Sequence, residues 1–274
     1  MKKIILIFLV ISLIVLTYVL WIFTAKPLKE DTDIYKGIWL PTLSIFPFAH
    51  PVSFNLNKLK DVGVNAVSFP MWYIVDEKGD FSQLFWTKFS AILQIKRLHK
   101  SGFKVMLTNE VIKEFGEPRP IPVEVLDNQN FWNNLERIVI ENARIAEKYG
   151  VEMYAPLNEP EAKFWEEPEK AWEWAQKILP KIKKVYNRKI VWKGDFSAQL
   201  NDKRFNFSRA NFSGYDMVGF SICLRVKPEK YRDYVNDTIK ILKNVSERSN
   251  ASLIVSECGA WENPWKKNLA HVLL

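Results

Sequence analysis

The chain has 274 residues, enough for one large α/β domain, or two small ones, with a sizeable core. Its net charge is +8, but the lysines and arginines are spread over predicted helices, and the dense run Lys181–Lys184 is typical of a solvated helix end. The composition therefore argues against nucleic-acid binding. Eleven tryptophans are compatible with sugar binding and equally with core packing.

The N-terminus carries a long apolar segment. Lys2 and Lys3 precede residues 4–23, which contain no charge and are long enough to span a bilayer as a helix. The lysines favour a cytoplasmic N-terminus and an external domain. The alternative is a cleaved signal peptide, but such apolar regions usually have about 7–15 residues. We therefore expect residues 1–25 to be a cytoplasmic stub and single-pass membrane anchor, followed by a linker at residues 26–33.

A cluster of glycosylation sequons also indicates an external location. Five asparagines each begin an Asn-X-Ser/Thr sequon within one stretch: Asn206, Asn211, Asn236, Asn244 and Asn250. Any single sequon arises by chance, but five together fit a surface exposed to a glycosylation pathway. We expect a glycoprotein whose domain is extracellular, or secreted if the N-terminal segment is cleaved.

Residues 34–274 show short apolar runs that alternate with helical periodicity. The predicted strands are 35–40, 63–69, 103–108, 151–157, 189–193, 215–221 and 252–256, and the predicted helices are 53–62, 85–100, 130–149, 168–186 and 229–248. Pro70 is expected to stop the second strand, and Pro180 to kink or interrupt the fourth helix. His99 is expected on the surface of the second helix.

Seven strands alternating with helices indicate a parallel sheet of the α/β class. A doubly wound sheet is the competing architecture, but no glycine-rich phosphate loop follows any predicted strand. The pattern favours a (β/α)8 TIM barrel that ends before an eighth strand in this sequence. We expect either a truncated barrel or one closed by another element.

Two glutamates follow predicted strands. Glu159 comes after Asn158 at the end of the fourth strand, and Glu257 comes after Ser256 at the end of the seventh. Catalytic groups of barrels lie at this end of the strands, and glycoside cleavage needs two opposed carboxylates. Both residues could instead be ordinary surface glutamates.

The motifs Asn158-Glu159-Pro160 and Ser256-Glu257, with Gly259 and in this strand order, resemble the retaining glycoside hydrolases of clan A. Families 113 and 5, which include endo-β-mannanases and cellulases, are the most similar. The resemblance implies that Glu159 is the general acid/base, that Glu257 is the nucleophile, and that Asn158 binds the sugar 2-hydroxyl. Two features depart from family 5: Ser68 stands where an arginine is usual, and the third strand ends without a histidine.

Further residues near strand ends are candidates for substrate binding. We expect Trp72 and Trp261 to be sugar platforms, and Trp39 and Asn109 to contact substrate; packing is the alternative for each tryptophan. Two more acids, Glu110 and Asp195, could bind hydroxyl groups or lie in solvated loops.

No cofactor is predicted, and the sequence shows no His, Cys and carboxylate cluster with metal-ligand spacing. Cys223 and Cys258 follow neighbouring strands and could form a disulfide or remain free thiols. The sequence thus predicts a membrane-anchored, external O-glycosyl hydrolase that cleaves β-linked polysaccharides or oligosaccharides with retention. The alternative is a catalytically impaired barrel that binds glycans at the cell surface. A purely structural surface protein ranks below both.

Overall fold

The computed structural model describes residues 17, 35–40, 56–83, 86–114, 120–195, 198–224 and 228–260, with residues 201, 220–224, 228 and 255–260 described by their backbone alone. The predicted anchor and linker lie outside these residues, except for Thr17, which is helical. Within the described ranges, no helix has the length and hydropathy needed to cross a membrane.

The described residues form strands and helices in alternation. The strands are β1 (Gly37–Trp39), β2 (Ala66–Val75), β3 (Phe81–Gln83), β4 (Lys104–Ile112), β5 (Met153–Ala155), β6 (Lys189–Gly194), β7 (Met217–Leu224) and β8 (Ser252–Ala260). The helices are α1 (Leu56–Asp61), α2 (Thr87–Lys100), α3 (Val123–Leu126), α4 (Gln129–Tyr149), α5 (Pro160–Lys163), α6 (Pro168–Lys183), α7 (Ala198–Asn201) and α8 (Tyr231–Ser249), with 3-10 turns at Phe207–Arg209 and Pro228–Lys230.

Seven of these strands form one parallel sheet in the order β1-β2-β4-β5-β6-β7-β8. The two outermost strands, β1 and β8, approach each other to within 8 Å between Cα atoms. The sheet therefore curls into a barrel, as the alternating pattern predicts. All seven predicted strands are confirmed, and β3 is an additional strand that pairs antiparallel with the end of β2.

Two apolar layers hold the sheet. A small inner cluster fills the barrel with one or two side chains from each parallel strand or the residues just before it: Tyr35, Ala66, Met106, Met153, Ala155, Val191, Met217 and Ile254. A larger outer cluster packs the opposite faces of the strands against α2, α4 and α6. Residues of one strand therefore alternate between the barrel interior and the helical layer.

The prediction that Pro70 ends the second strand is wrong, because β2 continues to Val75. Proline lacks the N–H that a central strand needs. Among the described residues, the ladder between β1 and β2 runs to Trp39 opposite Ser68, with a further bond from the Leu40 N–H to the Ser68 carbonyl. Pro70 thus lies beyond the part of β2 that pairs with the described residues 37–40.

Two further expectations are corrected. The helix α6 is not interrupted at Pro180: it runs as a single element through the proline, with Ile178, Leu179 and Ile182 buried around it, and a kink stays a prediction. Packing of this apolar face keeps the helix assembled around the proline. His99 is not a surface residue: it is buried, and its Nε2 lies 3.1 Å from the carboxylate of Glu152.

The two cysteines lie on neighbouring strands with an offset of one residue. Cys258 is opposite Ile222, and Cys223 is opposite Gly259 in the pairing of β7 with β8.

Candidate active site

Polar residues gather at the carboxyl ends of three neighbouring strands. Glu110 lies on β4, Asn158 follows β5, and Lys193 lies on β6. Met106 and Val191 belong to the inner cluster, and Glu110 and Lys193 lie four and two residues further along the same strands. Because strand residues alternate between faces, both side chains belong to the barrel interior. A backbone bridge between Asn158 and Lys193 continues the pairing of β5 with β6 as far as these polar residues.

Contacts join these residues into one buried chain, which we refer to as the inner polar chain: Lys163, Glu110, Asn158 and Lys193. The Asn158 Nδ2 donates to a Glu110 oxygen at 2.7 Å. The ammonium group of Lys193 donates to Asn158 Oδ1, and the ammonium group of Lys163 forms an ion pair with Glu110. Each member is at most 8% exposed.

The pKa of the Glu110 carboxyl is raised, first because burial disfavours its charged form. The nearby negative charge of Glu159 raises this pKa further, whereas the ammonium groups of Lys163 and Lys193 oppose the rise. Glu110 is therefore not a solvated loop residue, which was one of its two predicted environments.

Glu159 adopts a left-handed backbone conformation, with φ 45° and ψ 57°, directly before α5. This conformation is costly for a residue with a side chain and is concentrated at functional sites. The Glu159 N–H donates to the Lys193 carbonyl at 2.9 Å, which fixes the turn. The residue is half-buried, and its buried Oε1 has no hydrogen-bond partner among the described atoms.

Glu257 lies in the carboxyl-terminal half of β8, and its backbone position depends on a register shift. Phe220 pairs with Val255, but the next residue, Ser221, pairs with Glu257. The irregularity leaves Ser256 without an opposite residue, as in a β-bulge. Glu257 is therefore the residue that neighbours Ser221 on β7. Its role as nucleophile stays a prediction.

The tryptophans predicted to bind substrate lie in three different situations. Trp72 is half-buried and directly opposite Glu110 in the pairing of β2 with β4. Trp39 is half-buried, and its ring centroid lies 4.3 Å from the Lys193 ammonium group. Trp261 lies outside the described residues.

Asn109 does not belong with the other candidates, so its predicted contact with substrate is corrected. It is fully buried on the outer face of β4, where its Nδ2 donates to the Tyr154 hydroxyl at 2.7 Å and to the Pro156 carbonyl at 2.8 Å. Its Oδ1 accepts from Asn142 on α4. The adjacent Glu110 takes the inward position instead.

Two more acids are buried close to the site. Asp195 directly follows β6 and is fully buried, so a solvated loop position is excluded. Glu161 accepts hydrogen bonds from the indole N–H groups of Trp192 and Trp172, at 2.9 Å and 3.3 Å. Burial, with a smaller contribution from the charge of Asp195, raises the pKa of Glu161 to about 7. No group of three metal-ligating side chains is placed to hold a metal within the ranges that the structure describes.

Lys163 and Lys193 are the site residues that sequence reasoning missed. Lys193 carried a usable signal, because it is a charged residue within the otherwise apolar stretch from Ile190 to Gly194. Lys163 carried none, since lysine is ordinary on a short helix and its burial depends on Glu110.

Comparison with solved structures places this architecture among glycoside hydrolase barrels. A complex structure of a GH113 β-1,4-mannanase superposes with a TM-score of 0.61 at 15% identity, covering 88% of this chain and 79% of that chain. The GH113 β-mannanase AaManA from Alicyclobacillus acidocaldarius gives 0.60 at 15% identity, with 89% and 78% covered. A fungal β-1,4-galactanase gives 0.58 at 14% identity, with 82% and 74% covered.

The chain therefore shares the TIM-barrel fold of these glycoside hydrolases, and the fold that the motif resemblance implied is confirmed. No protein-family model matches the sequence, and a comparison with curated proteins gave no match.

Proposed function

We propose that the protein is a retaining β-glycosidase in which Glu159 is the general acid/base and Glu257 the nucleophile. The observation that carries this proposal is the environment of Glu159, a strained residue at the carboxyl end of a barrel strand. Its buried carboxylate oxygen has no described partner, and it lies next to the inner polar chain. The fold is shared with enzymes described as β-1,4-mannanases and β-1,4-galactanases.

The reaction would proceed by double displacement. Glu159 gives its proton to the glycosidic oxygen while the Glu257 carboxylate attacks the anomeric carbon, so that the leaving sugar departs and a glycosyl ester forms. Water then attacks the same carbon, Glu159 takes the proton of the water, and the ester bond to Glu257 breaks. Two inversions give net retention.

Substrate binding is assigned to the polar and aromatic side chains around this pair. Asn158 Nδ2 donates one hydrogen to Glu110 and has a second hydrogen for the sugar 2-hydroxyl. Trp72 lies opposite Glu110 and offers an aromatic face to a sugar ring. Trp261 remains a predicted platform, and Trp39, whose ring lies against the Lys193 ammonium group, remains a predicted substrate contact.

The catalytic test compares the wild type with Glu159→Gln and Glu257→Gln on β-mannan, β-glucan and β-galactan oligosaccharides. We expect cleavage of at least one substrate with retained anomeric configuration, followed by NMR. Glu159→Gln should lower kcat by about 10²–10⁴-fold. Glu257→Gln should abolish cleavage, and a fluorosugar should label Glu257 in the wild type. Glu166→Gln, at an exposed glutamate beyond the same strand, is the matched control and should leave kcat unchanged.

A different result would select the second candidate. If the wild type binds these oligosaccharides but releases no product, the protein is a glycan-binding barrel and the hydrolase proposal fails.

We also propose that the domain acts outside the cytoplasm, anchored by residues 4–23. The length of this apolar segment supports the location, as do the five sequon asparagines, all of which are exposed. The test is expression of the full chain in a eukaryotic secretory host. We expect resistance to alkaline extraction from membranes and a mass shift after peptide N-glycosidase treatment. Extraction of the intact chain into the soluble fraction would contradict the anchor.

A further inference from the structure

Asn158 is held on both sides by partners of opposite chemistry. Its Nδ2 faces a carboxylate oxygen of Glu110, and its Oδ1 faces the ammonium group of Lys193. An amide group can be turned by half a rotation with almost no change in shape, so its partners alone decide which end carries the hydrogens. In this site that choice decides whether Asn158 offers a donor or an acceptor to a substrate.

Lys193 is the partner that fixes the choice. An ammonium group has three hydrogens and no lone pair, so it can only donate. Glu110 is ambiguous, because burial raises its pKa and a protonated carboxyl could donate as well as accept. Whatever the protonation state of Glu110, the atom of Asn158 that faces Lys193 must be the oxygen.

Lys193 is itself held firmly. It is fully buried, and the Trp39 ring lies 4.3 Å from its ammonium group, within the range of a cation–π contact. Its backbone pairs with Asn158 in an isolated bridge, and its carbonyl accepts the N–H of Glu159. One residue thus holds Asn158 through its side chain and Glu159 through its backbone.

We propose that Lys193 is a positioning residue that locks the Asn158 amide with its NH₂ group toward Glu110 and the substrate. This inference rests on the proposed function and deepens it, because it adds the residue that orients Asn158 for the 2-hydroxyl contact proposed above. Lys193 acts through Asn158 and does not touch the reacting atoms.

The experiment compares Lys193→Met with the wild type on an aryl β-mannoside, an aryl β-glucoside, and the aryl 2-deoxy-β-glycoside that both become when the 2-hydroxyl is removed. Of the mannoside and the glucoside, the one that the wild type cleaves faster is the reference substrate. We expect Lys193→Met to lower kcat/KM on this substrate by about 10–100-fold, the range for one hydrogen bond to a charged or buried group. On the 2-deoxy glycoside the loss should be less than about threefold. In an Asn158→Ala background, Lys193→Met should cause no further loss.

Lys189→Met is the matched control. Lys189 lies at the other end of β6, at a position of the same face, and donates to the Tyr35 hydroxyl at 3.0 Å. Lys189→Met should leave kcat/KM unchanged on both the hydroxylated substrate and the 2-deoxy glycoside. Lys193→Gln offers Asn158 either a donor or an acceptor, so it also removes the lock and should give the same pattern of losses; it carries the test if Lys193→Met does not fold.

The outcomes separate the two proposals. Equal losses on hydroxylated and 2-deoxy substrates, or an additive loss in the Asn158→Ala background, would overturn the positioning role while leaving the hydrolase intact. If Glu159→Gln cleaves the hydroxylated substrates as fast as the wild type, the proposed function fails regardless of what Lys193 does.

Discussion

Asn109 and Glu110 are neighbours on β4, both are buried, and they belong to opposite faces of the strand. On the outer face, Asn109 joins a neutral network with Tyr154, Asn142 and the Pro156 carbonyl. On the inner face, Glu110 joins two buried lysines and lies near a second glutamate.

The two faces of β4 thus use buried polar side chains in two different ways. A neutral network loses little on desolvation and ties a helix to the sheet, so it is suited to stability. Buried charges are costly, and a pair of glutamates near each other raises that cost further. The inner polar chain is therefore weak evidence for stability and stronger evidence for a functional site.

The largest expected effect is on the inner face. Lys163→Met leaves Glu110 buried without its ion-pair partner, so the free energy of unfolding should fall by about 3–5 kcal/mol in urea denaturation. The double variant Glu110→Gln with Lys163→Met removes both charges and should recover to within about 1 kcal/mol of the wild type.

Lys170→Met is the control for Lys163→Met. Lys170 is half-buried and pairs with the more exposed Asp127 and Glu167, so its loss should cost at most about 1 kcal/mol. A double variant as unstable as Lys163→Met alone would contradict the contrast between the two faces.

On the outer face, Asn109→Leu should lower the free energy of unfolding by about 2–4 kcal/mol, because the Pro156 carbonyl loses this donor and the Asn142 amide loses one of its two acceptors. Activity per folded molecule should stay unchanged, measured as kcat/KM on the best β-glycan substrate. Loss of activity at normal stability would restore Asn109 to the substrate-binding set that the sequence predicted.

Glu161 gives the outer layer a pH dependence. Its pKa is raised by burial from 4.5 to about 7, so between these values the folded state binds a proton that the unfolded state has released. The stability present below pH 4.5 should therefore decline as pH rises, by about 3 kcal/mol once pH passes 7.

Glu161→Gln removes this decline, because the amide oxygen can still accept from Trp192 without becoming charged. Thermal unfolding of the variant and the wild type from pH 4 to pH 8.5 measures the difference. Curves that stay parallel over this range would show that Glu161 is not the titrating group.

The smallest effect is expected at the surface. Lys181 bonds Glu136 across α6 and α4, with both side chains more than 40% exposed. Lys181→Ala should change the free energy of unfolding by less than about 1 kcal/mol, because solvent screens exposed pairs. A larger loss in urea denaturation would mean that the contrast between buried and exposed charges is overstated here.

The outline of the fold was predictable because it depends on local patterns. Each parallel strand is a short apolar run, and five of the seven runs are followed by helical periodicity. The β3 hairpin was missed, since Phe81–Gln83 is short, mostly exposed, and defined only by its pairing with Tyr73–Val75. Pro70 misled the prediction because the consequence of its missing N–H depends on where the β1 ladder stops.

By itself, the sequence determined that Asn158 and Glu159 follow a buried strand, because Pro160 and the preceding apolar run act locally. Only the tertiary structure decided that Glu110, and not Asn109, faces the barrel interior. Both faces of β4 are buried, so its sequence shows no alternation from which the inward residues could be read. Lys163 belongs to the site because it contacts Glu110, and Lys193 because it contacts Asn158. Lys193 and Asn158 are 35 positions apart in the chain. Such pairing is set by barrel register, which no local pattern contains.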